Sequence, residues 1–230
     1  MSTPATWGTP ISSMTKIYSH LSPEWINLNI PHTNGAYWYS KELLERVVPN
    51  IKTGRDWVLI NAEHSCTDRA IVFIHNNAHP ERYEWLAPFK DLILVCSTIK
   101  TLNTMIEMFP KYHSIFIPLS IDVDYVKQFK AKRKTKKVCY YGRLEKCPEE
   151  IMEDETIDKY GDGDRDELLK QIAKYKTVYA IGRCALEAKA LGCNVISHKG
   201  EYEGVEFVLL DNTEIIPELQ RLLNEIDGVK

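Results

Sequence analysis

Short runs of consecutive apolar residues alternate along this chain with stretches in which apolar residues recur every three or four positions. The runs WVLIN (57–61), AIVFIHN (70–76), DLILVCS (91–97) and SIFIPL (114–119) are rich in β-branched residues and predict strands. YWYSKELLERVV (37–48) and IKTLNTMIEMF (99–109) have helical spacing, and YEWLAPF (83–89) separates two of the strands. A first strand is expected near INLNI (26–30), and Pro31 to Gly35 reads as a loop whose glycine opens the next helix, a phosphate-facing geometry. Strands apolar on both faces that alternate with helices predict a parallel, doubly wound sheet ending near Asp124.

The pattern then restarts. VCYYG (138–142), TVYAIG (177–182), NVISH (194–198) and VEFVLL (205–210) predict strands, with a loop and a helix between the first two. A helix is expected over 184–191, and an amphipathic one over 213–226 with Thr213 as its cap. The fold class is therefore α/β, with two Rossmann-like domains at 1–124 and 137–230 joined by a linker at 125–136. Such domains leave a cleft at the carboxyl ends of their strands, where ligands bind.

Composition narrows the functional classes. The 230 residues are 44% hydrophobic and 27% charged, as in an ordinary globular protein, and the net charge of −3 gives no global signal for nucleic acid or membrane. No apolar run approaches the roughly 18 residues that a span requires, and no secretory leader is apparent. The six cysteines form no CxxC pair and suit reduced structural thiols, so a cytoplasmic location is expected. One local exception is Lys127 to Lys137, with seven basic residues, which reads as a solvated linker or as a contact to nucleic acid.

Candidate chemistry concentrates in two segments. From Lys176 to Ser197 a strand, a turn at Gly182, a helix carrying Glu187, and a second strand follow in succession. The backbone at Arg183, Cys184 and Ala185 opens that helix, where free N–H groups and the helix dipole favour phosphate. One turn on, the carboxylate of Glu187 can accept from two vicinal hydroxyls, as on a ribose. In the second segment Gly142 turns the chain after a strand, and Arg143 and Lys146 project from one loop with charge suited to a diphosphate.

Four segments in this order resemble the retaining glycosyltransferases of the two-Rossmann-domain GT-B architecture, the large family (GT4) that includes sucrose-synthase-like, mannosyl- and glucosyltransferases. They are SIFIPLSID (114–122), YYGRLEK (140–146), IDKYGDGDRDELLKQI (157–172) and GRCALEAKALGCNVIS (182–197). The resemblance implies a nucleotide-diphosphate sugar as donor, an acceptor-side first domain, no separate cofactor and no metal. It puts Arg143 and Lys146 on the diphosphate, Glu187 on the ribose, and His75 near the donor sugar and acceptor. The family carries a second glutamate eight positions before the one matched by Glu187; Tyr179 stands there, so recognition of the sugar departs from the family pattern. The economy of length and the basic linker fit a viral or mobile-element enzyme, in the host cytoplasm if viral, whose acceptor is a modified base in DNA.

Other constellations are weaker. Asp122-Val-Asp124 has a metal-binding DxD form but lies between the domains. Asp162, Asp164 and Asp166 evoke a calcium loop that Glu167 and Ala173 spoil at its sixth and twelfth positions. His64, Cys66, His75 and His79 have no familiar zinc spacing. Two further readings stay open: a non-catalytic nucleotide or nucleotide-sugar binder, and a nucleic-acid-binding module using the basic linker.

Overall fold

The computed structural model describes residues 17–19, 35–61, 66–74, 79–198 and 207–228. The chain divides into two compact units, Met1–Pro118 with Asn212–Lys230, and Leu119–Asp211. Each is an α/β unit built on an all-parallel sheet, and no described helix is long and apolar enough to cross a membrane.

In the first unit, strands β1 (Ile17–Ser19), β2 (Trp57–Asn61), β3 (Ala70–Ile74), β4 (Ile93–Cys96) and β5 (His113–Phe116) lie side by side in sequence order. The uninterrupted apolar runs of β3 and β4 are explained by burial on both faces. On one face Ile60, Val72 and Leu94 pack with Met105 and Phe109, at and just beyond helix α2 (Ile99–Met108). On the other, Phe73 meets Tyr39 of α1 (Gly35–Glu42) edge to face. The parallel sheet is as expected, but its strand order is sequential rather than reversing as in a doubly wound sheet. Apolar periodicity marks a strand without saying which edge of the sheet it joins.

The last helix is the larger departure. It runs over Ile216–Asp227, after a 3-10 turn at Asn212–Ile215 that contains Thr213, and its N-terminus has Pro217 in the first turn and no side-chain cap bond. It belongs to the first unit, not to a domain spanning 137–230. Leu219 and Leu223 are fully buried there. Gln220 bonds both backbone groups of Lys52, and Asp227 accepts from Gly54 N–H, Arg55 Nε and Trp57 Nε1 at 2.9 to 3.2 Å. An apolar stripe with a polar end finds its complement by shape and bonding, not by proximity in sequence.

The second unit holds β6 (Lys136–Tyr141), β7 (Asp158–Tyr160), β8 (Tyr175–Tyr179) and β9 (Asn194–Ile196) in the order β7-β6-β8-β9. Helices α3 (Val123–Lys127), α4 (Glu149–Met152), α5 (Arg165–Ile172) and α6 (Gly182–Ala190) accompany them. Its core includes Cys139, Tyr141, Leu169, Val178, Ala185 and Leu186. β7 escapes apolar patterning because it is an edge strand of sequence DKY, with no fully buried residue. Conversely, the described part of the 205–210 run is not a strand; the one pairing at its end is an isolated bridge between Ile121 and Asp211, beside a bond from Val123 N–H to the Asp211 carboxylate.

Residues 125–136 are likewise part of this unit rather than a free linker. α3 buries Val126 and packs on α6. Further along, Lys134 turns inward: its Nζ donates to the carbonyls of Ala173 and Leu191 at 2.8 and 2.9 Å and to Cys193 Sγ at 3.1 Å. Ala173 and Leu191 are the C-caps of α5 and α6. One ammonium thus meets the negative ends of two helix dipoles. Replacing it with an isosteric apolar chain, Lys134→Met, is expected to lower the unfolding free energy by about 2 kcal/mol. The exposed neighbour Lys132→Met should change it by less than about 0.5 kcal/mol. Equal effects of the two in urea denaturation would refute the capping role.

Candidate functional site

The strand order β7-β6-β8 reverses after β7, so the carboxyl ends of β6 and β8 flank a switch point of the kind where open α/β sheets bind ligands. The loop after β6 carries Gly142, Arg143 and Lys146, and the turn after β8 carries Gly182. The structure therefore assembles Gly142, Arg143, Lys146, Gly182, Arg183, Cys184, Ala185 and Glu187 in one unit. Gly35 opens α1 in the other unit and is exposed. His75 and His64 lie outside the described residues.

Local chemistry fixes both loops. The Tyr140 hydroxyl donates to the carbonyl of Arg143 at 2.8 Å, and Leu144–Lys146 form a 3-10 turn that leaves Arg143 and Lys146 exposed. The loop after β7 presses against it: a Cβ on Gly161 would lie 2.5 Å from Leu144 Cγ and 3.0 Å from the Gly142 carbonyl, so only glycine fits. Gly182 has φ +57°, a left-handed conformation that lets the chain turn sharply from β8 into α6. The N-cap of α6 is Ile181, which has no side-chain oxygen to offer the first-turn N–H groups.

Glu187 is placed differently from expectation. It is only 2% exposed, and both its oxygens are engaged inside the unit. Oε1 accepts from Arg165 Nε and Nη2 at 3.1 and 2.9 Å and from Arg183 Nε at 3.0 Å, while Oε2 accepts from the Tyr141 hydroxyl at 2.6 Å. Arg165 also lies 5.1 Å from the ring centre of Tyr125, whose hydroxyl donates to Asp166 at 2.6 Å. The carboxylate thereby holds Arg183 at the start of α6 instead of facing solvent. Tyr141, Arg165 and Tyr125 were not legible as site residues: a tyrosine ending an apolar strand and an arginine in an acidic segment look ordinary until the fold joins them.

Tyr179, where the family's other glutamate would stand, packs with Tyr140, Ile151 and Ile157 on the opposite face of the sheet from Tyr141. Two of the aspartates weighed as metal ligands serve helix ends. Asp122 accepts from Tyr125 N–H at 3.0 Å as the cap of α3, and Asp164 accepts from Glu167 N–H at 3.1 Å as the cap of α5. His79 contacts Glu81 at 3.2 Å. Among the described residues no group of three or more His, Cys, Asp or Glu side chains could hold a metal ion.

The six cysteines are free thiols, all with raised pKa values. Burial pushes Cys184 from 9.0 up to about 12, the charge of Glu187 adding to the rise while those of Arg183 and Arg143 oppose it. Burial, reinforced by Glu187, also raises the Tyr141 hydroxyl well above its ordinary value.

No family model matches the chain, and neither a curated protein nor a solved structure matches it.

Two outcomes follow from this geometry. Glu187→Gln removes the buried carboxylate charge that Arg165 and Arg183 share and is expected to cost about 3 kcal/mol in urea unfolding, whereas Glu145→Gln on the exposed loop should cost less than about 0.5 kcal/mol. Cys184 contributes stability that is full below pH 9.0 and is lost as pH rises toward about 12, because the unfolded thiol ionises first. Iodoacetamide at pH 8 should accordingly label the native protein far more slowly than the protein in urea; equal rates would contradict the enclosed thiols.

Proposed function

We propose that the second unit binds a nucleotide-diphosphate sugar and that the chain is a compact glycosyltransferase of the GT-B kind. It would transfer the sugar with retention of configuration and without an obligatory metal. One observation carries this reading: at the strand-order reversal, an α6 N-terminus opened by Gly182 and lacking a side-chain cap lies beside a loop bearing Arg143 and Lys146. Backbone N–H groups and the helix dipole would receive one phosphate. Arg143 and Lys146 would neutralise the charge that builds on the departing nucleotide, which is the main task in a transfer dominated by leaving-group stabilisation. Glu187 would act through Arg183, keeping that guanidinium at the phosphate end of the helix. The exposed Lys127, Lys132 and Arg133 fit a DNA acceptor, whose backbone a basic strip attracts without reading sequence.

A second reading, a nucleotide-sugar binder without transferase activity, is favoured by one observation. Tyr179 lies in an apolar cluster where the family places a sugar-binding carboxylate. Calorimetry and a nucleotide-release assay with a panel of UDP- and GDP-sugars separate the two. Transferase function predicts both binding and release of UDP or GDP, and Arg143→Ala is expected to weaken diphosphate binding by about 10- to 100-fold. Binding without release would select the second reading; absence of binding by every nucleoside diphosphate would sink both.

A further inference from the structure

Independently of that site, the first unit holds a cavity of about 310 Å³ at the amino ends of β2, β4 and β5. Buried Trp57, Leu92 and Tyr112 form its apolar floor, with Phe89 and Ile226 beside them. Three cations line the rim. The Arg55 guanidinium lies 4.7 Å from the centre of the Trp57 ring and is held by Asp227 through Nε at 2.9 Å. Lys111 lies 4.7 Å from the Tyr112 ring centre and donates to the carbonyl of Ala87 at 2.7 Å. Neither Lys111 nor the exposed Lys90 has a carboxylate partner among the described residues. Among the described residues Asp91 is the one acid lining the cavity, 4.0 Å from Arg55 Nη1.

This rim is rigid. Asp91 and Arg69 adopt left-handed conformations, with φ +55° and +58°, that cost non-glycine residues energy and persist where neighbours enforce them. Lys90 N–H donates to the Asp68 carboxylate at 2.8 Å, its carbonyl accepts from Arg69 N–H at 3.0 Å, and the Tyr112 hydroxyl reaches the Phe89 carbonyl at 2.6 Å. An apolar floor under a fixed cationic rim takes an amphipathic anion. A guanidinium fork flanked by two ammonium groups suits a dianionic phosphate, and a volume at the small end of ligand cavities admits about one ring system.

We propose that this cavity is a second binding site, which takes a small phosphate monoester carried on a flat apolar ring, such as a nucleoside monophosphate or an aryl phosphate. The test is calorimetry on the full chain with phenyl phosphate, AMP and inorganic phosphate. Phenyl phosphate is expected to bind about tenfold or more tightly than inorganic phosphate, because its ring leaves water for the floor. Lys90→Glu should weaken it about tenfold or more with an unchanged melting temperature, since Lys90 makes no side-chain bond among the described residues. Arg143→Ala, in the second unit, should leave it unchanged. The ratio of AMP to phenyl phosphate affinity then distinguishes a nucleotide from an aryl phosphate as occupant. Failure of phenyl phosphate to bind at millimolar concentration, binding no tighter than that of inorganic phosphate, indifference to Lys90→Glu, or loss in Arg143→Ala would each overturn the assignment. Loss in Arg143→Ala would move the phosphate to the diphosphate site of the second unit; the other outcomes leave that site's own test, nucleoside diphosphate binding, untouched.

Discussion

A carboxylate that is 2% exposed must find its compensation within the protein, and Glu187 finds it in two guanidinium groups and a phenol. Burying any of these charges alone would cost several kcal/mol; together they hold one arrangement of three elements. Tyr141 ends β6, Arg165 begins α5, and Glu187 and Arg183 lie on α6. The interaction therefore fixes the relation between strand end and helix start on which any phosphate site at this edge depends. Such a cluster contributes definition more than net stability, since each member mainly offsets the desolvation of another.

The amino edge of the same sheet is secured by a second polar network. Tyr175 donates to Asp158, Lys136 donates to both Tyr175 and Asp158, and Tyr160 meets Tyr175 at 2.8 Å. Burial and the bond to Asp158 drive the Tyr175 hydroxyl far above its ordinary pKa. Lys136 and the helix-capping Lys134 both come from the basic run. What reads in one dimension as a solvated charge cluster is thus partly structural, because a lysine stem can bury its methylenes while its ammonium satisfies carbonyls at a helix end.

What the sequence made legible follows from which physical signal each element carries. β3, β4 and α2 were readable because full burial demands unbroken apolar runs and an amphipathic helix demands its periodicity. The two turns with Gly142 and Gly182 were readable because a left-handed or crowded backbone demands glycine. β7 was hidden because an edge strand needs no apolar side chains, and the sequential order of the first sheet because pairing partners leave no periodic trace. Glu187 stood out as the one acid in an alanine-rich helix, but its engagement inside the unit did not, since its partners Arg165 and Tyr141 are 22 and 46 positions away and joined only by folding.

The return of the last helix to the first unit makes that unit discontinuous in sequence. The second unit enters at Leu119 and leaves at Asp211, and the bridge between Ile121 and Asp211 brings its two ends side by side. In genetic terms it is a cassette set into the host unit, and adjacent ends make such a cassette cheap to gain, lose or exchange, because the host loop closes over the same short gap either way. A premature stop just after Asp211 would therefore spare the cassette and injure the host, exposing Trp57 at the start of β2, far away in sequence.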